Sequence, residues 1–251
     1  MGDEKAIIEV RDLTAGYGDE VILKEISFKV AAGEIFVILG GSGCGKSTLM
    51  KHMIGLYPLI KGEVLIGGED LNGASGDDRE RILRRFGVMY QSGALFGSMT
   101  LRENVELAME EFTTLSPDAR KSIARMKLRL VGLDGFEDHL PSAVSGGMQK
   151  RAAIARAMAL DPAVLFLDEP SAGLDPVTSA DLDALILRLR EALGVTFVIV
   201  THELPSIYAV ADRVIMLDRE TKGIIAEGAP KELRDHSKDT FVRKFFLREA
   251  A

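Results

Sequence analysis

The stretch EIFVILGGSGCGKSTLM (34–50) decides the fold of this chain. Its first part, EIFVILG (34–40), is an apolar run rich in β-branched residues, and apolar positions at Leu49, Met50, Met53 and Ile54 then recur with helical spacing. Between them Gly40, Gly45, Lys46 and Ser47 satisfy G-x-x-x-x-G-K-[ST] in the strand-loop-helix setting that a phosphate-binding loop requires. Glycines let backbone N–H groups across Gly40, Gly41, Ser42, Gly43, Cys44 and Gly45 converge on phosphate oxygens, Lys46 neutralises β/γ charge, and Ser47 offers its hydroxyl to Mg2+. Thr48 closes the loop. Cys44 reads as a small space-filling residue whose alkylation would obstruct nucleotide binding.

Two further apolar runs end in polar chemistry as the first does: AVLFLDEP (163–170) and TFVIVTHE (196–203). Runs of this kind are how strands buried on both faces of a parallel sheet read. Helical periodicity lies between them, at Leu182, Leu185, Ile186 and Leu189, and stops at Gly194. Strands alternating with helices indicate an α/β layer fold with ligands at the carboxyl ends of the strands. The amino-terminal segments AIIEVRDLTAGYG and VILKEISFKVAAGE instead alternate like antiparallel hairpins and predict a small β-layer. From Gln91 to Lys150 strand signals vanish. A helix is predicted to open there at Ser116, with Pro117 in first position and an apolar stripe at Ile123, Met126, Leu130 and Val131. The expected organisation is one domain over 1–251, with a helical subdomain at about 92–150 inserted in the α/β core.

With 251 residues and 47% hydrophobic composition the chain can bury a large core. A formal net charge of -7 argues against broad capture of DNA or RNA. The single cysteine allows no internal disulfide, and MGDEKAIIEVRDL lacks the basic and then apolar pattern of a secretory signal, so a reducing cytosolic setting is expected. The longest apolar runs fall far short of the roughly 20 residues needed to cross a bilayer. Work at a membrane would therefore be that of a peripheral subunit.

The strand ends carry the remaining chemistry. Asp168 suits the Mg2+ shell and Glu169 is placed to polarise an attacking water. His202 repeats that geometry on another strand, where an imidazole could reach a terminal phosphate or align the water with Glu169. Gln91, after FGVMY, could hold Mg2+ or water through its amide. Tyr17, flanked by glycines, could stack on a base or simply pack in its turn. A second glycine pair, in VSGGMQKR (144–151), heads another helix. It is either a structural turn or a nest for a nucleotide held elsewhere.

In order along the chain, the phosphate loop, Gln91, SGGMQ, LFLDEP, SAGLD (171–175) and His202 resemble the ATP-binding subunits of ABC transporters over essentially the whole length. The resemblance implies the ATP-binding-cassette form of the P-loop NTPase fold, ATP and Mg2+ as ligands, and a head-to-tail homodimer. The signature nest of one copy would then close over the γ-phosphate bound by the other, giving roles to Ser145, Gly146, Gly147 and Gln149, with Asp175 communicating between the two sites. It also supports Tyr17 at the base, and Gln91, His202, Lys46 and Glu169 in catalysis.

The sequence departs from the common L-S-G-G-Q form at Val144 and Met148. With QSGALFGSMTLRENV (91–105) and THELPSIYAVADRVIMLD (201–218), this departure resembles a subset serving Mla or MCE-type systems, which move phospholipids or other hydrophobic molecules between bacterial inner and outer membranes. That implies a place on the cytoplasmic face of the inner membrane, with integral-membrane permease subunits gripped near GALF (93–96), an MCE-domain substrate-binding protein and a small STAS-domain regulator. No nucleic acid and no direct cargo contact are expected.

Other readings share the catalytic motifs: a polar-solute importer, a non-transport ATPase of cell division or assembly, and a nucleotide switch without useful hydrolysis. Arg79, Arg81, Arg84 and Arg85 read as a solvated helix face rather than a lipid-binding patch. The tail DTFVRKFFLREA is expected either to dock on its own domain or to touch a partner.

Overall fold

The computed structural model describes residues 6–248, so the first five and last three residues of the expected 1–251 domain, including the start of MGDEKAIIEVRDL and the end of the tail, lie outside the described residues. Strands β1 (Ala6–Tyr17) and β2 (Glu20–Ala31) form the expected antiparallel hairpin, extended by β4 (Lys61–Ile66) and β5 (Glu69–Asp70) into a four-stranded sheet of order β2-β1-β4-β5. The three long apolar runs become β3 (Ile35–Gly40), β7 (Val164–Asp168) and β8 (Thr196–Val200), every residue of them buried. They lie parallel in a six-stranded sheet of order β10-β9-β3-β8-β7-β6, completed by β6 (Phe86–Met89), β9 (Arg213–Leu217) and β10 (Ile224–Gly228). Pairing of β10 to β9 is antiparallel. Burial on both faces explains why these strands show no alternation.

One core fills the space between the two sheets and helix α1 (Lys46–Met53). The other packs the opposite face of the six-stranded sheet against α3 (Leu101–Phe112), α4 (Pro117–Leu130), α5 (Gly146–Ala157) and α6 (Pro176–Leu193). Since β3, β7 and β8 are in register and parallel, Gly40, Asp168 and Val200 end on one edge. That edge is where the phosphate loop, the acidic pair and His202 meet.

Helix α4 opens at Ser116 as expected, its hydroxyl accepting from Ala119 N at 3.3 Å, with Pro117 next. Its apolar stripe matches the expected one at Ile123 and Val131, which pack on the core, and differs at the other two positions. Met126 and Leu130 are 50% and 40% exposed, whereas Ala124, Lys127 and Leu128 are buried and Val131 continues that face. The buried row runs at i, i+4 and i+7 through 124, 128 and 131, and it includes a lysine that reads as surface in the sequence. Lys127 is accommodated because its ammonium pairs with Asp161. Helix α5 runs to Ala157, so the expected subdomain boundary at Lys150 falls inside it.

The arginines of and after α2 (Gly76–Leu83) are tied down within the domain. Arg81 pairs with Asp78 and Glu69, Arg84 with Glu80, and Arg85 with Glu69. Arg79 donates to the carbonyls of Leu71 and Gly55. No helix among the described residues is long and apolar enough to cross a membrane.

Candidate functional site

At the β3 edge the chain turns through the loop into α1, whose N-cap Gly45 has φ 100°. Gly40 has φ 148°, and a Cβ there would lie 2.4 Å from the Leu217 carbonyl oxygen and 2.6 Å from Cys44 Sγ. A side chain at Gly40 would therefore have to displace backbone. Cys44 is 2% exposed and fills this corner, as its reading as a packing residue requires. Burial pushes its thiol up, with nearby Lys46 opposing. The Lys46 ammonium donates to the carbonyls of Gly40 and Gly41, 3.0 Å each, and thereby spans the mouth of the loop.

A cavity of about 690 Å³ opens over this loop, lined by Gly40 to Gly43 and Gly45 to Thr48 and walled by Gln91, Glu169 and His202. Ile22 and Phe245 also line it. Neither stood out in the sequence, where each is one apolar residue among many. Phe245 arrives on the carboxyl-terminal helix (Thr240–Leu247), which docks on its own domain through buried Val242 and Phe246, with the Tyr208 hydroxyl donating to Phe246 O at 3.1 Å.

The acidic pair divides its work between two directions. Asp168 Oδ1 accepts from the Ser47 hydroxyl at 3.1 Å. Burial pushes the Asp168 carboxyl up, an effect the Ser47 hydrogen bond opposes. Ser47 Oγ, the Asp168 carboxylate and the Gln91 amide oxygen are hard oxygen donors, few in number and beside a phosphate cradle, which is the donor set Mg2+ favours. Glu169 follows with φ 46°, a left-handed conformation costly for a residue with a side chain. Its N–H donates to Val200 O at 2.8 Å, and His202 Nδ1 lies 2.7 Å from its Oε1. Oε2 is buried without a hydrogen-bond partner. An orphaned carboxylate oxygen at a strained strand end is a costly arrangement, and the Ser171 hydroxyl two residues on is buried without a partner as well. Glu169 itself is one of the residues that wall the cavity.

Tyr17 does not line the cavity; its ring meets Tyr57 edge-on at 5.1 Å and tilts against His52 at 5.8 Å. His52 is fully buried, and its Nδ1 lies 2.8 Å from Thr48 O in the first turn of α1. This cluster fixes Tyr17, 39% exposed, beside the phosphate-loop helix. Residues 56–60 bring Tyr57 there, and nothing in their sequence separates it from an ordinary loop aromatic.

The second nest also lies away from this cavity. Ser145 caps α5, its hydroxyl accepting from Met148 N at 3.3 Å, and stays exposed with Gly146. Gly147 is buried, and a Cβ on it would stand 2.5 Å from Thr178 Cγ2. Gln149 turns its amide back on its own loop, donating to Pro141 O at 3.0 Å and Val144 O at 3.3 Å. Asp175 caps α6, accepting from Val177 N, Thr178 N and the Thr178 hydroxyl, and these bonds hold its carboxyl below the usual range. Both helix starts are thus rigid and face outward.

A parallel sheet with a phosphate loop at one strand end, a metal-suited Ser/Asp pair and a histidine-held carboxylate at the next two defines a P-loop nucleotide hydrolase. A second, outward nest on an inserted helical segment is the arrangement of an ATP-binding cassette. The chain belongs to the ABC transporter family, whose model matches residues 23–172. It is an ABC-type ATPase, of a family that uses ATP with Mg2+.

It is 41% identical over 238 residues to the probable ribonucleotide transport ATP-binding protein mkl of Mycobacterium leprae, covering 95% of this chain and 68% of that protein. To the intermembrane phospholipid transport system ATP-binding protein MlaF of Haemophilus influenzae it is 38% identical over 244 residues, 97% of this chain and 91% of that one. Among solved structures it superposes on cbiO1 from Clostridium perfringens, part of the cbiONQ ABC transporter complex, with a TM-score of 0.84 and 29% identity, covering 98% and 96% of the two chains. It also superposes on the cassette MJ0796, solved as a dimer in a post-hydrolysis state with ADP and Pi, with a TM-score of 0.79 and 31% identity, covering 88% and 98%.

Proposed function

We propose that this chain hydrolyses ATP at two composite sites of a homodimer and so drives a membrane transporter that moves phospholipid or a similar hydrophobic molecule between inner and outer membranes. The observation that carries the catalytic part is Glu169, strained, held by His202 on one oxygen and unpartnered on the other. In this reading Oε2 accepts a proton from the attacking water, while His202 Nδ1 fixes the carboxylate through Oε1. Lys46 and the loop amides bind the phosphates, Ser47, Asp168 and Gln91 hold Mg2+, and Tyr17 stacks on the base. Mg2+, when bound, neutralises charge that builds on the β- and γ-phosphate oxygens.

Ser145 and the amides of Gly146 and Gly147 reach the nucleotide of the other copy at a helix N-terminus, where an anion is favoured. Gln149 and Asp175 act through the loops they brace, Asp175 at the start of the helix facing Gly147. ATP can drive closure because the triphosphate touches both copies only in the closed state, which supplies the differential affinity a conformational shift needs. The whole described chain reads as one cassette, its helical part joined to the α/β core through Gln91 and α5.

The cargo reading is supported by likeness to MlaF across almost the full chain. Similarity to mkl favours a second reading, in which the cargo is a nucleotide. A groove of about 620 Å³, walled by Phe86, Val88, Ala94, Phe96, Leu107 and Leu160, is the proposed seat of a permease's cytoplasmic helix. The MCE-domain protein, the STAS-domain regulator and the cytoplasmic face of the inner membrane complete the proposal.

Mass spectrometry of everything retained by the tagged chain, extracted from its own membranes in mild detergent, tests it. Permease, MCE-domain protein and phospholipid together are the expected result. A nucleotide-binding or polar-solute permease complex, or soluble division or assembly partners alone, would overturn the lipid assignment and leave the ATPase standing.

A further inference from the structure

The groove and the nucleotide cavity share one loop, Gln91 to Ala94, and α5 grips that loop from beneath with two cations. Lys150, a residue 9% exposed, donates from its ammonium to the Gln91 carbonyl. The Arg156 guanidinium donates to Gly93 O at 2.9 Å and to Ala94 O at 2.5 Å. Gly93 lies directly on the helix, where a Cβ would be 3.5 Å from that of Ala153. Every acceptor is a backbone oxygen, so the grip does not depend on the side chains the loop carries.

Both cations are held at a cost. Desolvation lowers the affinity of each for its proton, an effect the negative charges of Asp168 and Glu169 oppose at Lys150. Lys150 is buried with only a carbonyl oxygen as its hydrogen-bond partner, which is unfavourable beside an apolar side chain of similar length, so packing alone would be better served there by Met; Arg156, half-buried at the groove, commits two guanidinium hydrogen bonds to the loop. The same α5, twelve residues long, begins at the nest of Ser145 to Gly147. Its two ends thus touch the two functional surfaces: Arg156 walls the groove, and Ser145 faces the partner.

We infer that Lys150 and Arg156 are positioning residues that clamp the Gln91–Ala94 loop to the signature helix, making the loop of one nucleotide site and the nest offered to the other a single moving part. The inference rests on the proposed roles of Gln91 and of the nest. It adds the physical joint between them.

The test uses the full chain with Mg-ATP and the variants Lys150→Met, Lys150→Arg, Arg156→Leu, Arg156→Lys and the Met/Leu double. Steady-state ATPase, equilibrium ATP binding, and hydrogen exchange over residues 91–97 and 145–150 are read together. Lys150→Met and Arg156→Leu are expected to bind ATP as the parent does, lose about tenfold in kcat, and exchange faster across 91–97. Lys150→Arg should recover most of the loss, and the double should be no worse than the poorer single, because one joint broken twice is still one joint.

Unchanged kcat and unchanged loop exchange in both apolar variants would overturn the clamp. So would a loss that tracks global melting and is not recovered by the conservative variants. Ser145→Ala in the same assay separates the underlying reading: full activity there removes the nest's role, while faster 91–97 exchange in Lys150→Met still upholds the clamp.

Discussion

His202 Nδ1 lies 2.7 Å from Glu169 Oε1, across the ends of two adjacent parallel strands whose register sets Asp168 beside Val200. Glu169 therefore faces the residues that follow Val200, and the left-handed turn at φ 46° swings its carboxylate toward the cavity. The imidazole takes one oxygen, and in the proposed mechanism the other receives the proton of the attacking water. Glu169→Gln should lower kcat by roughly 100- to 10,000-fold, the range for loss of a general base, with ATP binding retained and ATP-dependent dimers persisting in size-exclusion chromatography. His202→Ala frees the carboxylate without removing it, so its loss of kcat should be smaller. Normal turnover in Glu169→Gln would remove that residue from the role of base.

Gly147 needs to be glycine because of Thr178. With only 2.5 Å between a Cβ at 147 and Thr178 Cγ2, Gly147→Ala should cost about 1–3 kcal/mol in urea unfolding, as overpacking does, and should tilt α5 away from α6. Thr178→Ser deletes the offending methyl and keeps the hydroxyl bond to Asp175. Adding Thr178→Ser to Gly147→Ala should therefore restore most of the lost stability. If the pair is no better than Gly147→Ala alone, the glycine is required for its backbone approach to a ligand instead.

Cys44 tests the loop's packing through its pH dependence. Only the thiolate alkylates quickly, and burial raises the pKa of this thiol above its ordinary 9.0, so less of it is ionised at any given pH. Reaction with iodoacetamide should begin at higher pH than for a free cysteine peptide. At pH 7.5 it should be slow, and slower still with Mg-ATP bound. Fast modification at neutral pH would show that the loop opens and exposes Cys44.

The reactive edge was readable because it consists of contiguous strings: an apolar run followed by GGSGCGKST, LFLDEP or VTHE specifies both a buried strand and the chemistry at its end. Shorter strands were not. β6 has four residues with Gly87 inside, kept because a Cβ there would strike the Ala157 carbonyl at 1.9 Å, and β5 has only two. Residues that act by tertiary reach were equally silent. Asn104, fully buried, accepts from Phe96 N and donates to the carbonyls of Phe96, Met99 and Thr100, holding the groove loop in shape. In the sequence it is one polar residue in a helix. Half of the α4 stripe escapes the sequence for the same reason: Lys127 counts as surface until Asp161, 34 residues away, is known to meet it.

That pair makes an asymmetric prediction. The Lys127 side chain is 2% exposed, whereas that of Asp161 is 79% exposed, so the two ends of one ion pair differ in what their loss leaves behind. Asp161→Asn keeps a residue tolerant of the left-handed φ of 50° but takes the countercharge from a buried ammonium, and should cost about 1.5–3 kcal/mol in urea unfolding. Lys127→Met removes the charge that needs a partner and retains an unbranched chain of similar length, so its change should be close to zero or stabilising. In Lys127→Met, Asp161→Asn should then cost almost nothing more. Equal losses from both single changes would mean that Lys127 contributes through its stem's packing and not through the pair, and that the helical segment is fastened to the β7 side of the core by apolar contact alone.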